Sequence, residues 1–306
     1  MKKVLLILLC VCFGLSVSAQ TNSPFNGALL WKVSGNGLDK PSYVLGTFHL
    51  FPETFVDSIP GLRGAMEATA QVVGEIDMLD MASAQMKLMQ AAMLPEEESY
   101  KKLLSDDEYK RLDEGLKGLI GVGLDQMGGF KPGMISPSIA IMLYTQIDPT
   151  YNPTTFVGID TYMQQTAKEA GKPVIGLETV EDQIFALFDA TPQRMQMESL
   201  LCSVENMDGA VDEMKVFIED YRSGNLNKLY NDSYYDTTKP CHAYGLAGKA
   251  ALLDNRNAKW MEQLPQIMSD KASMIVVGAA HLVAEEGILN QLDKLGYKVE
   301  AVGAGK

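Results

Sequence analysis

Two of the three histidines in this chain stand in the same local sequence. The run SYVLGTFH ends at His49, and the run SMIVVGAAH ends at His281. Each is a short apolar stretch that closes in Gly-x-x-His, a pattern typical of a buried strand entering a tight turn. Because imidazole binds divalent metals and exchanges protons near neutral pH, the pair indicates a metal or acid–base site. A buried histidine that caps a turn through hydrogen bonds would give the same pattern.

Glutamates close two further strand-like runs. QVVGE ends at Glu75, and KPVIGLE ends at Glu178. Ligands bind outside the carboxyl ends of strands in a parallel sheet, so the two glutamates and the two histidines should meet at one edge. Such a set could hold a divalent metal and leave positions open for water. The wide spacing of these residues gives no support of its own, and Asp77 and Glu178 equally suit the first turn of a helix.

Strand patterns alternate with helical patterns along the chain, which predicts an α/β fold. We expect a mostly parallel central sheet covered by helices. Helical patterns dominate residues 181–268, and this region should form a large helical insertion or lid. The predicted strands cover residues 28–33, 44–46, 71–77, 172–178, 274–278 and 297–302, the first two joined as a hairpin.

Two helices carry more specific expectations. Ser105 and Glu108 stand three residues apart, as in a capping box, and predict the start of a helix. Met86, Met89 and Met93 share one face of an earlier predicted helix. A methionine stripe at helical spacing is typical of an adaptable core, so we expect that face to be buried.

The first 19 residues have the features of a secretory signal peptide. Lys2 and Lys3 precede an apolar run that is too short to span a membrane, and small residues lead to a cleavage position after Ala19. The cysteines of this segment lie inside the apolar run, which disfavours a lipid anchor. No later run reaches about 18 apolar residues, so we expect an exported periplasmic or extracellular protein without a transmembrane segment. Residues 20–306 should form a single domain.

The charge of the mature chain excludes some partners. Removing Lys2 and Lys3 leaves 24 of the 26 basic residues against 39 acidic residues, so the formal charge changes from −13 to −15. This balance argues against nucleic acid and against an anionic membrane surface as partners. It does not bear on the oligomeric state, which the sequence leaves open.

Two cysteines remain after removal of the signal peptide, Cys202 and Cys241. An exported protein meets an oxidising compartment, where a disulfide is stable. A bridge between them would close a loop of about 40 residues and add about 4 kcal/mol through chain entropy. Two free buried thiols are equally consistent with the sequence.

The motifs, taken in order, resemble those of the TraB/GumN family, which includes the TIKI proteins. The resemblance covers nearly all of the mature chain, and the ordered set is fairly specific although each piece alone is weak. It rests on LWKV at 30–33, YVLGTFH at 43–49, VVGEID at 72–77, GID at 158–160, GKPVIGLETVEDQ at 171–183, Arg256-Asn257 and VGAAH at 277–281.

This resemblance implies a metal site formed by the two Gly-x-x-His motifs and a glutamate. The matching residues here are His49, His281 and Glu75. TIKI members are described as peptidases that use manganese or cobalt to trim extracellular signalling proteins. Other members are linked to the shutdown of peptide pheromones, and many bacterial members have no established activity. Manganese or cobalt is therefore the expected metal, and zinc would suit the same ligands.

Together these observations predict an exported, divalent-metal-dependent hydrolase with a peptide or protein substrate. Metal-activated water would attack a peptide carbonyl while Glu75 or Glu178 accepts its proton. Arg256 would hold a substrate carboxylate or a developing oxyanion, or else form an ordinary salt bridge. Asp160 and Glu178 match family positions and would contact the metal or orient its ligands. The alternative is a non-catalytic protein that sequesters a peptide or small ligand in the same cleft.

Overall fold

The computed structural model describes residues 20–303, apart from the side chains of residues 80–84. The predicted signal peptide, residues 1–19, lies outside the described residues. The strands are β1 Leu30–Ser34, β2 Ser42–Thr47, β3 Gln71–Gly74, β4 Val174–Gly176, β5 Ser273–Gly278 and β6 Lys298–Ala301.

These six strands form one sheet in the order β4-β3-β5-β2-β1-β6. The pairs β4–β3, β3–β5 and β5–β2 are parallel, whereas β1 is antiparallel to both β2 and β6. The α/β fold with a mostly parallel sheet is therefore confirmed, as is the predicted hairpin between the first two strands.

Helices make up most of the remaining described chain. In order they are α1 Leu62–Ala68, α2 Met81–Ala91, α3 Tyr100–Leu103, α4 Asp106–Ile120, α5 Leu124–Met127, α6 Pro132–Ile147, α7 Ile159–Glu169, α8 Val180–Ile184, α9 Gln193–Glu205, α10 Ala210–Arg222, α11 Leu226–Tyr234, α12 His242–Lys249, α13 Asn255–Met261, α14 Leu264–Asp270 and α15 Ile288–Lys294. Two π-helical turns, Phe185–Asp189 and Ala250–Asp254, follow α8 and α12. No helix within residues 20–303 is long and apolar enough to cross a membrane.

The two Gly-x-x-His motifs end neighbouring strands at the centre of the sheet. Strands β2 and β5 are almost wholly buried, and Thr47 lies opposite Gly278. Glycine at residue 46 allows a close approach, because Ala279 and Leu282 lie 3.0–3.1 Å from the place of a Cβ there and a side chain would push them outwards. This close packing brings the turn after β5 against β2, so both histidines emerge at the same edge.

Buried side chains form two clusters. The larger surrounds the sheet, and the smaller fills the space among α3, α4, α5, α6 and α9. Helices outside the sheet layer therefore come from residues 100–147 as well as from the predicted stretch 181–268. Cys202 of α9 is bonded to Cys241, just before α12, so of the two alternatives for these cysteines the structure has the disulfide.

The predicted burial of the methionine stripe is wrong. Met86, Met89 and Met93 are 74%, 43% and 50% exposed. Met86 and Met89 belong to α2, and Met93 follows its end. Helix α2 contacts α8, where Lys87 Nζ lies 2.5 Å from Glu181 Oε1, and the three methionines stay uncovered. Spacing shows that side chains share a helix face, but burial depends on whether another element covers that face.

The predicted capping box is present at the start of α4. Ser105 N donates to Glu108 Oε2 at 2.8 Å, and Glu108 N donates to Ser105 Oγ at 3.3 Å. Glu108 Oε1 also accepts a hydrogen bond from Arg194 Nη2 of α9 at 2.6 Å. Arg194 and the Ser105 groups lower the pKa of Glu108 from 4.5 to about 2. The carboxylate thus caps α4 and fastens it to α9.

We expect Glu108→Gln to lower the free energy of unfolding by about 1 kcal/mol at neutral pH, because the capping and ion-pair contacts lose their charge. A depressed folded-state pKa stabilises the protein above the unfolded value and stops doing so as the pH falls through the folded value. The difference between variant and wild type should therefore shrink from pH 4.5 to about 2, as measured by urea unfolding.

Glu114→Gln is the control for this measurement, since Glu114 is exposed on the same helix and lies 3.9 Å from Lys110. Its effect should stay below about 0.5 kcal/mol at every pH. If Glu108→Gln lowered the unfolding free energy by the same amount at pH 4.5 and at about pH 2, the charge of Glu108 would not be the source of the stabilisation.

Candidate active site

A cleft of about 480 Å³ opens at the carboxyl ends of the parallel strands. Four ionisable side chains line it, His49, Glu75, Asp160 and Arg256, together with the neutral polar side chains of Thr161, Gln164 and Gln183. Its apolar wall is formed by Ile76, Met78, Phe156, Ala186, Leu187 and Val276. The structure therefore brings together residues that the sequence separates by about two hundred positions, as expected for the carboxyl edge of a parallel sheet.

His281 lies buried behind the cleft and is held by α13. Its Nδ1 donates to Asn257 Oδ1 at 2.6 Å, and its ring centroid lies 4.4 Å from that of Trp260. Asn257 Nδ2 donates to two main-chain carbonyls, which fixes the orientation of its amide. The lone pair of His281 is therefore on Nε2, 3.9 Å from Glu75 Oε1. Burial and the charge of Arg256 lower the pKa of His281 to about 3, so the ring is neutral.

His49 is oriented by a carboxylate from α7. Its Nδ1 donates to Asp160 Oδ2 at 3.0 Å, and Thr47 Oγ1 donates to Asp160 Oδ1 at 2.7 Å. Loss of hydration lowers the pKa of His49, but the hydrogen bond and charge of Asp160 and the charge of Glu75 raise it to about 9. The imidazole is 67% exposed, and its Nε2 lies at the cleft near Gly278.

Glu75 is bound from two sides. Gly278 N donates to Oε1 at 2.8 Å, and Arg256 Nη2 donates to Oε2 at 2.6 Å. Burial raises the pKa of Glu75, but the charges of Arg256 and His49 and the Gly278 amide outweigh it and hold that pKa below its ordinary value. Glu75 is therefore an ionised carboxylate on the cleft at neutral pH.

Glu178 lies behind Arg256 and does not line the cleft. Its two oxygens accept from Arg256 Nη2 at 2.7 Å and Nε at 3.0 Å, and from Trp260 Nε1 at 3.1 Å. Only 2% of its side chain is exposed. Arg256 Nη1 in turn donates to Leu252 O at 3.0 Å and to His281 Nε2 at 3.2 Å. These contacts suit Glu178 to positioning Arg256; its role as a proton acceptor stays a prediction.

The geometry can be compared with the needs of a divalent metal. Within residues 20–303, no three His, Cys, Asp or Glu side chains are already placed to hold an ion together. The donor types nevertheless fit, because each imidazole has Nδ1 bonded to an acceptor, as metal-binding histidines usually do. Before it ligates, Nε2 must lose a proton in His49, whose pKa is about 9, and the hydrogen bond from Arg256 in His281. A Cβ on Gly278 would lie 3.4 Å from Glu75 Oε1 and 4.0 Å from His49 Nε2, so glycine leaves the space among the donors open.

Several residues that position these groups were not singled out from the sequence. Trp260 stands four residues after Arg256, on the same face of α13, and both residues contact Glu178. That spacing was a usable signal, since residues i and i+4 face the same side of a helix. Thr47 lies inside the first motif, and only the structure reveals that its hydroxyl donates to Asp160.

Comparison with known proteins identifies the family. Residues 29–301 match the profile of the TraB/PrgY/gumN family. The chain belongs to this family. The resemblance inferred from the motifs is thereby confirmed, over nearly the same range of residues.

Curated members of the TraB/PrgY/gumN family with similarity to this chain are named metalloproteases. Metalloprotease TIKI2 of Danio rerio is 25% identical, over 89% of this chain and 60% of its own length. Metalloprotease TIKI1 of Homo sapiens is 25% identical, over 91% of this chain and 63% of its own length. Metalloprotease TIKI1 of Xenopus tropicalis is 23% identical, over 91% of this chain and 62% of its own length. The chain thus spans 60–63% of the length of these relatives. No solved structure matches it.

Breaking the buried ion pair should be strongly destabilising. Arg256→Ala would leave Glu75 and Glu178 as buried carboxylates without their cation, at a cost of about 3–5 kcal/mol. Glu178→Gln removes one of those charges, so the double variant should lose less than the sum of the two single changes, by about 1 kcal/mol or more. Urea unfolding of the four proteins measures this coupling.

Arg63→Ala provides the control, because Arg63 pairs with Asp57 at the surface and both side chains are more than half exposed. That loss should be small beside the loss in Arg256→Ala, because water screens an exposed ion pair. Strictly additive effects of Arg256→Ala and Glu178→Gln would show that the two side chains do not stabilise each other.

Proposed function

We propose that this protein is an exported, divalent-metal-dependent hydrolase that cleaves peptide bonds. The observation that carries the proposal is the convergence of His49, Glu75 and His281 at the ends of three adjacent parallel strands. Each imidazole is fixed through Nδ1, by Asp160 in His49 and by Asn257 in His281, so that Nε2 is the nitrogen that would ligate. Membership in a family whose similar relatives are named metalloproteases supports the proposal, and the signal-like residues 1–19 support export.

His49, His281 and Glu75 would hold the metal, with manganese or cobalt favoured and zinc suited to the same donors. When bound, such an ion acts as a Lewis acid that acidifies water and polarises a carbonyl group. The charge of the site favours a cation, because its three carboxylates, Glu75, Glu178 and Asp160, outnumber the two positive groups, Arg256 and protonated His49.

The other roles fall to residues already in position. Arg256 lines the cleft with its guanidinium fixed by Glu178, and its charge suits a substrate carboxylate or a developing oxyanion. All five of its N–H groups are bonded in this structure, so one of them, such as the Nη1 hydrogen on His281 Nε2, must be released before Arg256 donates to a substrate. Asp160 is engaged by His49 and Thr47, which leaves Glu75 as the cleft carboxylate that ligates or accepts a proton.

The cleft also limits which substrates fit. Its apolar wall, which includes Met78, Phe156 and Leu187, suits apolar side chains of a peptide and excludes water from the reacting groups. Small polar molecules would leave this wall uncovered, so a peptide or protein segment is the better match.

The test is metal binding by the mature chain beside its His49→Ala/His281→Ala double variant. Elemental analysis after loading with manganese, cobalt or zinc should give about one ion per chain in wild type and none in the double variant. Circular dichroism should show both proteins folded. Cleavage of a peptide library should follow metal content.

His242→Ala is the matched control, because it removes the third histidine of the chain, which lies at the start of α12 outside the cleft. It should bind metal as wild type does. A wild-type chain that binds no divalent ion in the micromolar range would contradict the hydrolase proposal. Tight peptide binding without metal and without cleavage would then favour the sequestering protein.

A change at Gly278 should separate the site from the fold. Its φ of −54° suits any residue, and an added Cβ would meet neighbours at ordinary contact distances of 3.4–4.0 Å. Gly278→Ala should therefore change the unfolding free energy by less than about 1 kcal/mol, yet weaken metal binding about tenfold or more by filling the space among the donors. Calorimetric titration and urea unfolding measure the two effects.

Gly64→Ala is the corresponding control, since a Cβ there would meet nothing within 4 Å. Metal affinity should be unchanged in that variant. Unchanged affinity in Gly278→Ala as well would mean that the ion does not bind in the space beside Gly278.

A further inference from the structure

Helix α7 presents two polar side chains to the site, one turn apart. Asp160 in its first turn holds His49 and Thr47. Gln164 stands four residues later on the same helix face and is only 2% exposed. The proposed reaction gives Gln164 no role, although a buried amide side chain must satisfy both its donors and its acceptor.

Gln164 binds the main chain immediately after Glu75. Its Nε2 donates to Ile76 O at 2.9 Å, and its Oε1 accepts from Met78 N at 2.8 Å. One donor and one acceptor contact fix which way the amide points. A Cβ on Gly74 would clash with the Gln164 amide, so the contact depends on glycine at that position.

The position of Glu75 is controlled from both directions along the chain. Before it, β3 pairs with β5 and β4 as far as Gly74. After it, the chain leaves the sheet, and Gln164 is the side chain that bonds to the main chain of residues 76–78. A carboxylate one residue past a strand end can pivot unless the following segment is also fixed.

We infer that Gln164 is a positioning residue that holds the Glu75 carboxylate beside the Gly278 amide and Arg256. The inference rests on the proposed function, in which Glu75 ligates the metal or accepts a proton. Helix α7 also positions His49 relative to Glu75. Asp160 accepts a hydrogen bond from His49, and Ile159 N at the start of α7 donates to Phe51 O in the loop that follows His49.

One side of helix α7 therefore supports two of the proposed metal ligands, His49 through Asp160 and Glu75 through Gln164. Residues at i and i+4 move together, since they belong to the same rigid turn of helix. Loss of the Gln164 contact should therefore disturb the placement of Glu75 relative to His49 without removing any donor atom. Changes of this kind in the outer support of a metal site typically weaken metal affinity about 10–100-fold.

Gln164→Met tests the inference, because methionine keeps the length of the side chain and removes both hydrogen bonds. The chain offers a matched control in Gln165→Met: residue 165 has the same side chain on the same helix, but it is exposed. Manganese affinity is measured from the electron paramagnetic resonance signal of the unbound Mn²⁺ ion. Amide hydrogen exchange at Met78 and thermal unfolding are measured on the same proteins.

For Gln164→Met we expect a folded protein with faster exchange at Met78 and manganese affinity weaker by about 10–100-fold. Gln165→Met should match wild type in both. Gln164→Glu is a second variant in case the first does not fold, since it keeps the shape of the side chain and the acceptor for Met78 N, and replaces the donor to Ile76 O by an oxygen that the carbonyl repels unless it is protonated. Its affinity should lie between those of wild type and Gln164→Met.

The inference would be overturned if Gln164→Met and Gln164→Glu bound manganese as tightly as wild type does. The proposed function would be unaffected by that result. Equal losses in Gln164→Met and Gln165→Met, or unchanged exchange at Met78, would also overturn it, because the effect would not come from the contact. A wild-type chain that binds no manganese, cobalt or zinc would overturn the proposed function and this inference with it.

Discussion

The buried guanidinium of Arg256 is the interaction on which the rest of the site depends. Glu75 and Glu178 are 11% and 2% exposed, and ionised carboxylates at such positions are costly without a partner. Arg256 compensates both, and its planar fork also fixes their relative orientation. The π-helical turn before α13 contributes Leu252 O, which holds the outer nitrogen of the same guanidinium. Stability and site geometry are thus set by the same contacts.

The sheet and helix α7 determine where that charge cluster meets the histidines. Pairing of β5 with both β2 and β3 places the strand ends within two residues of one another, with Thr47 opposite Gly278 and Gly74 opposite Val276. Glycines at these ends let neighbouring main chain and side chains approach closely. Helix α7 then crosses the edge and holds His49 through Asp160.

Much of this arrangement follows from sequence reasoning, because apolar runs that end in glycine mark buried strands and parallel sheets gather their ends. His49, Glu75 and His281 were placed at one edge on those grounds alone. Burial of the methionines was predicted wrongly, since Met86 and its neighbours lie on a helix face that no described element covers. The sequence indicates Asn257 only as part of the Arg256-Asn257 motif, without a role, and gives no signal for Gln164. Their partners lie on distant elements, and spacing along one helix carries no record of those contacts.

The contact between Arg256 and His281 bears on how a metal could bind here. Nε2 of His281 has one lone pair, which now accepts a hydrogen bond from Arg256 Nη1, and a guanidinium cannot give up its proton to make way. Ligation therefore requires this contact to break, at a cost of about 1–3 kcal/mol. Binding in the micromolar range supplies about 8 kcal/mol. The contacts to Glu75 and Glu178 would still hold Arg256 at the cleft. The hydrogen bond thus lowers the affinity for an ion, and the larger binding energy can overcome it.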